Sequence, residues 1–184
     1  MAEEKKLGGM IGGAKKSQVL LHDFAARGEV TQIKELLSVA DVNAVDVHGE
    51  TALHRAAANN QTIVIRLLVE NKARIDVANR EGNTPLHKAA ENGHSRAISV
   101  LFDLGANINY QNRMGEAPLH SAARNNHGVA MHDLLTIGGN LKLKNKRGQT
   151  AKSVAKASHA NDALGAIAEY YSKQSLIFRI KNMF

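Results

Sequence analysis

Apolar residues fall on short helical stripes that recur along the chain. Ile65, Leu68 and Val69 form one such stripe. Ile98, Leu101 and Phe102 repeat it further along, and Met131, Leu134 and Leu135 repeat it again at the same interval. Spacings of three and four put each set on one face of a helix. Ahead of each stripe stands a second pattern: Leu53 with Ala56 and Ala57, Leu86 with Ala89 and Ala90, and Leu119 with Ala122 and Ala123. It predicts a first helix whose small side chains let a neighbouring helix approach closely. Asn60, Gly93 and Asn126 separate the two helices of each pair. These are the residue types that tolerate the left-handed conformation ending a helix. Each unit therefore reads helix, turn, helix, then a polar connection.

The connections share a signature. Gly82-Asn83-Thr84-Pro85-Leu86-His87 is a turn running into a helix start: Gly82 supplies backbone freedom, Thr84 suits the N-cap and Pro85 the first helical position. Gly49-Glu50-Thr51-Ala52-Leu53-His54 precedes it, Gly115-Glu116-Ala117-Pro118-Leu119-His120 follows, and a worn copy begins at Gly148. Gly49, Gly82, Gly115 and Gly148 are evenly spaced throughout. Their period of 33, carrying a T-P-L-H-x-A core, resembles the ankyrin-repeat family. The resemblance implies an all-α solenoid of stacked helix-turn-helix units with β-turn fingers.

On this reading residues 1–17 form a mobile tail and residues 18–171 the repeat domain. The domain divides into an entry repeat (18–48), full repeats at 49–81, 82–114 and 115–147, and a capping repeat (148–171). Residues 172–184 form a basic amphipathic segment. The entry repeat lacks T-P-L-H, as terminal repeats commonly do because one of their faces has no neighbour. In the third full repeat Ala117 stands where Thr51 and Thr84 cap, at a cost of about 1 kcal/mol. Gly128 replaces Thr62 and Ser95, and Asp133 replaces Leu67 and Val100, so this repeat is expected to be the softest full one. The final segment, with Leu176, Ile177, Ile180 and Phe184 among Lys173, Arg179 and Lys181, either folds back over the last repeat or offers a basic amphipathic helix to a partner or membrane surface.

The chain has no cysteine, which removes disulfides and Cys-ligated zinc. No apolar run is long enough for a membrane span, and the N-terminal residues are too glycine-rich for a cleavable signal peptide. A cytoplasmic or nuclear location is expected. The net charge of +7 is confined to residues 139–184, where nine basic residues face two acids. Lys142, Lys144, Lys146 and Arg147 form its densest patch, to which anionic lipid or nucleic-acid phosphate would be attracted. There is no Trp to supply stacking platforms for single strands.

His54, His87 and His120 recur at the repeat period. One stacking step of roughly 10 Å between them rules out a shared zinc, whose ligands lie about 2 Å from one point. They are expected to be structural, with Thr51 and Thr84, each imidazole bonding the turn and tying adjacent fingers together. The remaining histidines fit no metal motif, and no nucleophile elbow or complete phosphate loop is present, so no catalytic, cofactor or metal residue is assigned. What the resemblance implies is a monomeric, non-catalytic module that binds a partner protein, as adaptor, scaffold or inhibitor, and takes no small-molecule substrate. The concave surface of fingers and first helices would carry it. Position by position that surface comprises Arg80, Glu81, Asn83, Glu91, Asn92, Arg113, Met114, Glu116, Arg124 and Asn125. Arg and Met are enriched at interfaces, which singles out Arg80, Arg113, Met114 and Arg124 as anchors.

Overall fold

The computed structural model describes residues 14–181, with side chains from 16 to 177. Ten helices follow in order: α1 (Ala14–Arg27), α2 (Val30–Leu36), α3 (Ala52–Ala58), α4 (Thr62–Glu70), α5 (Pro85–Glu91), α6 (Ser95–Asp103), α7 (Pro118–Arg124), α8 (Gly128–Thr136), α9 (Ala151–Ala157) and α10 (Asn161–Lys181). They pair as α1/α2 through α9/α10. The first helices stack as α1–α3–α5–α7–α9, and the second as α4–α6–α8–α10. Among the described residues the only extended pairing outside the helices is one isolated bridge, Lys144 with Thr150.

Burial follows the repeat. Leu53, Leu86 and Leu119, and the alanine pairs behind them, are sealed inside the row of first helices. In the second helices the buried positions are Val64, Ala97 and Ala130; Ile65, Ile98 and Met131; and Leu68, Leu101 and Leu134. The stripe expected from spacing is buried at the latter two of these sets and at Leu135, but it gains Val64, Ala97 and Ala130 and loses two members. Val69 is half-buried and Phe102 is 40% exposed, because the contact surface turns toward the first helices and away from that edge. Asn60 and Asn126 take φ of 58° and 57°, and Gly93 takes 70°, closing each first helix as expected. Both asparagines do a second job. Asn60 Oδ1 accepts from Ala97 N–H at 3.2 Å, and Asn126 Oδ1 accepts from Asp162 N–H at 2.8 Å. Each therefore satisfies an orphan donor at the start of the next repeat's second helix.

The ends depart from expectation. Residues 1–13 of the expected tail lie outside the described residues, but Ala14 to Ser17 are already helical and Ser17 is 1% exposed. At the other end, no turn follows Tyr171. α10 runs on as one helix of 21 residues, and the side chains of 171–177 are exposed, so Leu176 and Ile177 do not cover the last repeat; the side chains of Ile180 and Phe184 lie outside the described residues. In the third full repeat Gly128 has a packing reason. A Cβ there would lie 2.8 Å from the Asp162 carbonyl oxygen, so glycine is what lets α10 dock on α8.

Candidate partner-binding face

The fingers are tight turns hydrogen-bonded into a continuous row. Within each finger one chain pass returns beside the other: Asp46 N–H to Glu50 O, Asn79 N–H to Asn83 O, Asn112 N–H to Glu116 O and Asn145 N–H to Gln149 O, all at 2.9 Å. Between fingers, Arg80 N–H donates to His48 O, Arg113 N–H to Glu81 O and Lys146 N–H to Met114 O, at 2.8–3.0 Å. Gly82 sits at this contact with φ +83°, and a Cβ on it would lie 2.5 Å from Arg113 N. Only glycine permits that approach.

The periodic histidines brace the row from below. His54 Nδ1 accepts from Thr51 N–H at 3.1 Å and lies 2.9 Å from Thr51 Oγ1, while its Nε2–H donates to Asn83 O at 2.9 Å. His87 repeats this with Thr84 and Glu116 O. His120 takes Ala117 N–H at 3.2 Å and donates to Gln149 O at 3.1 Å, so the substitution at Ala117 removes only the hydroxyl. An acceptor on Nδ1 and a donor on Nε2 define the neutral imidazole. Burial favours the same form, holding all three histidines below their ordinary value, His87 at about 4.

Two further sets of bracing residues escaped the sequence reading. His22 Nε2 lies 3.0 Å from Glu50 O and fills the entry repeat's histidine position. The missing T-P-L-H hid it, although it precedes His54 by one position less than a full period, in a repeat one residue short. At the opposite end of the helices, Gln61, His94 and His127 reach back to the preceding repeat, donating to Ala26 O, Ala58 O and Glu91 O at 2.9–3.2 Å. Their recurrence at the repeat period was the available signal.

Against this frame lies a cleft of about 440 Å³, between the fingers and the first helices of the second and third full repeats. It gathers Glu81, Asn83, Glu91, Arg113, Met114, Glu116, Arg124 and Asn125 from the expected surface, and adds Asn112 and Ser121. Arg80 lines a neighbouring cleft with Arg55, Val45 and Val47. Asn92 is exposed, lines neither of these clefts, and donates to Lys88 O at 2.8 Å.

The charges on this face differ in how they are held. Glu116 is 9% exposed and is bonded by Arg124 and by Asn145 Nδ2 at 3.2 Å. Glu50 is gripped in the same way by Arg55 at 3.2 Å and Asn79 Nδ2 at 3.4 Å. Arg124 is therefore partly committed to its own fold, which its position in the sequence could not reveal. Glu91 pairs with Lys88 at 2.6 Å. Arg80, Arg113 and Met114 are exposed, and among the described residues no carboxylate lies within ion-pair distance of either arginine. Lys142, Lys144, Lys146 and Arg147, on the fourth finger and the connection leading to it, are likewise exposed and without such a partner there.

The family described as ankyrin repeats in three copies matches residues 21–112 and 72–145. The chain belongs to the ankyrin-repeat family. Its all-α solenoid is the family's fold, and ankyrin repeats generally mediate protein–protein interaction and are typically non-catalytic. No curated protein matches the chain. A larger cleft of about 920 Å³ opens between α8 and α10. Its polar groups largely bond one another, as in Asn126 to Asp162 at 2.9 Å and Lys173 to Glu169 at 2.7 Å. Among the described residues no three His, Asp or Glu side chains gather as metal ligands, and no helix is long and apolar enough to cross a membrane.

Proposed function

We propose that this ankyrin stack is a non-catalytic recognition module that docks a partner protein in the cleft lined by Arg113, Met114 and Ser121. It works as an adaptor, scaffold or inhibitor, as a monomer, in the cytoplasm or nucleus. The observation that carries the reading is the contrast in side-chain commitment. Glu116 in the cleft is buried and paired with Arg124, whereas Arg113 and Met114 are exposed and Arg113 has no carboxylate within ion-pair distance among the described residues. Exposed Arg and Met beside a rigid, preorganised backbone are what an interface core uses.

The test is a variant that fills the cleft without changing net charge, Met114→Asp with Ser121→Arg. A protein recovered from nuclease-treated lysate by the wild type should be lost by this variant, with the melting curve unchanged. Recovery that the variant does not alter removes the cleft from the function.

A second reading is favoured by the unpaired lysines of the fourth finger and its approach. The basic end carrying Lys142, Lys144, Lys146 and Arg147 attracts anionic lipid or nucleic-acid phosphate. Its mark is steep loss of vesicle or RNA binding as salt rises. Salt-independent binding, or none, sets it aside.

A further inference from the structure

Arg80, Arg113 and Lys146 occupy the same place on three consecutive fingers, each one repeat period from the next. Their backbone N–H groups make the three bonds that join the fingers, so the residues are in register along the stack. All three side chains are exposed, and among the described residues none has a carboxylate within ion-pair distance. They form a ladder of cations without ion-pair partners among the described residues.

The rung spacing follows from the finger. Each finger is two chain passes thick, and passes paired by hydrogen bonds lie about 4.8 Å apart, so each rung is about 9.6 Å from the next. Helix stacking at about 8–10 Å agrees with this. A polyproline II chain has three residues per turn and rises about 3.1 Å per residue, so it brings every third side chain back to one side after about 9.3 Å. Over two intervals the mismatch is about 0.6 Å, well within the reach of Arg and Lys. A β-strand fails this match because its third residue points to the opposite face. An α-helix returns to one face at every seventh residue, about 10.5 Å on, so over two intervals its mismatch is about 1.8 Å, three times as large.

The rungs are separated by unlike residues. Glu81 follows Arg80 in the chain and bonds Arg113 through its carbonyl, so its side chain springs from between those two cations. Met114, 47% exposed, stands in the same way between Arg113 and Lys146. An acid placed over Glu81 is repelled and an apolar group placed over Met114 is accommodated. The face therefore disfavours a continuous acidic run and suits acids separated by neutral and apolar residues.

We propose that the finger ladder Arg80–Arg113–Lys146 binds an extended, polyproline-like acidic segment of a protein partner, with a carboxylate at every third residue and apolar residues between. This rests on the protein-docking reading above and adds the partner's chemistry and conformation.

The probe is a synthetic peptide of repeated Glu-Leu-Pro triplets, measured by fluorescence anisotropy. Three comparisons accompany it: the same composition with the glutamates in one block, a Lys-Leu-Pro repeat, and a helix-forming peptide with Glu at every seventh position. The Glu-Leu-Pro repeat should bind about tenfold more tightly than the block peptide, from three surface ion pairs in register, and should weaken with salt. Arg80→Glu, Arg113→Glu and Lys146→Glu together should abolish its binding and create binding to the Lys-Leu-Pro repeat. The single Arg113→Glu variant, with circular dichroism matching the wild type, separates loss of charge from loss of fold. The proposal is overturned if the block or helical peptide binds as tightly, if RNA binds the ladder more tightly than the peptide does, or if the triple reversal changes nothing. In those cases loss of the captured protein by the cleft-filling variant would still stand, which keeps the two failures distinct.

Discussion

Acidification should weaken this stack well before its carboxylates titrate, and the histidine ladder sets the size of the effect. His87 is 1% exposed, takes Thr84 N–H on Nδ1, and sits at about 4 against an ordinary value of 6.5. Protonation places a donor on Nδ1 facing another donor, inside an apolar site. The folded state thus binds fewer protons than the unfolded chain at pH values between the two constants. The stabilisation is fully present above about 6.5 and is lost as pH falls toward about 4. At about pH 5, linkage for His87 alone amounts to about 2 kcal/mol. His54 and His120 are shifted in the same direction by the same burial and add to it. Urea unfolding followed by far-ultraviolet circular dichroism, at a series of pH values from neutral to about 5, measures the slope. The control is His87→Gln, whose amide can accept from Thr84 N–H and donate to Glu116 O without titrating. Its stability gap from the wild type should change by about 2 kcal/mol across that range. Equal pH slopes for the two proteins would refute the reasoning.

Three substitutions test the repeat chemistry at single positions. Lys72 holds φ of 70° where the other full repeats have Gly105 and Gly138, so Lys72→Gly should raise stability by about 0.5–1 kcal/mol in chemical denaturation. Asn43 and Asn109 each donate through Nδ2 to a carbonyl in the next connection, Lys72 O and Gly138 O, at 3.1 and 3.2 Å. Asp76, their counterpart, cannot donate when ionised, and burial raises its carboxyl above the ordinary value. Asp76→Asn should therefore stabilise by about 1 kcal/mol at neutral pH, and the gain should shrink in acid as Asp76 protonates. Gly128→Ala should destabilise by about 1–3 kcal/mol, because the new methyl meets the Asp162 backbone; an unchanged midpoint would mean that α10 can shift without cost.

Most of the architecture was legible because a solenoid repeats its local rules. The constant glycine spacing, the Thr-Pro pair and the Asn or Gly at each helix end are local conformational demands, and local demands survive in one dimension. The full extent of the second-helix stripe was not, since Val69 and Phe102 satisfy helical spacing as well as Val64 and Ala97 do. Which stripe is buried depends on how the neighbouring helices lie. Nor could spacing show that Arg124 is tied to Glu116 while Arg113 is not, because that depends on which carboxylate is carried within reach.

The family, the helix pairs, the finger register and the recurring histidines follow from the chain alone, since each is written in residues that act within one repeat or at a constant offset. Packing in three dimensions was needed to set where the helices end, which histidine and glutamine positions bridge repeats, why Gly128 is glycine, and which charges are already spent within the fold. Those outcomes come from groups of neighbouring repeats meeting in space, where hydrogen-bond partners and excluded volume select among alternatives that the residue order leaves equal.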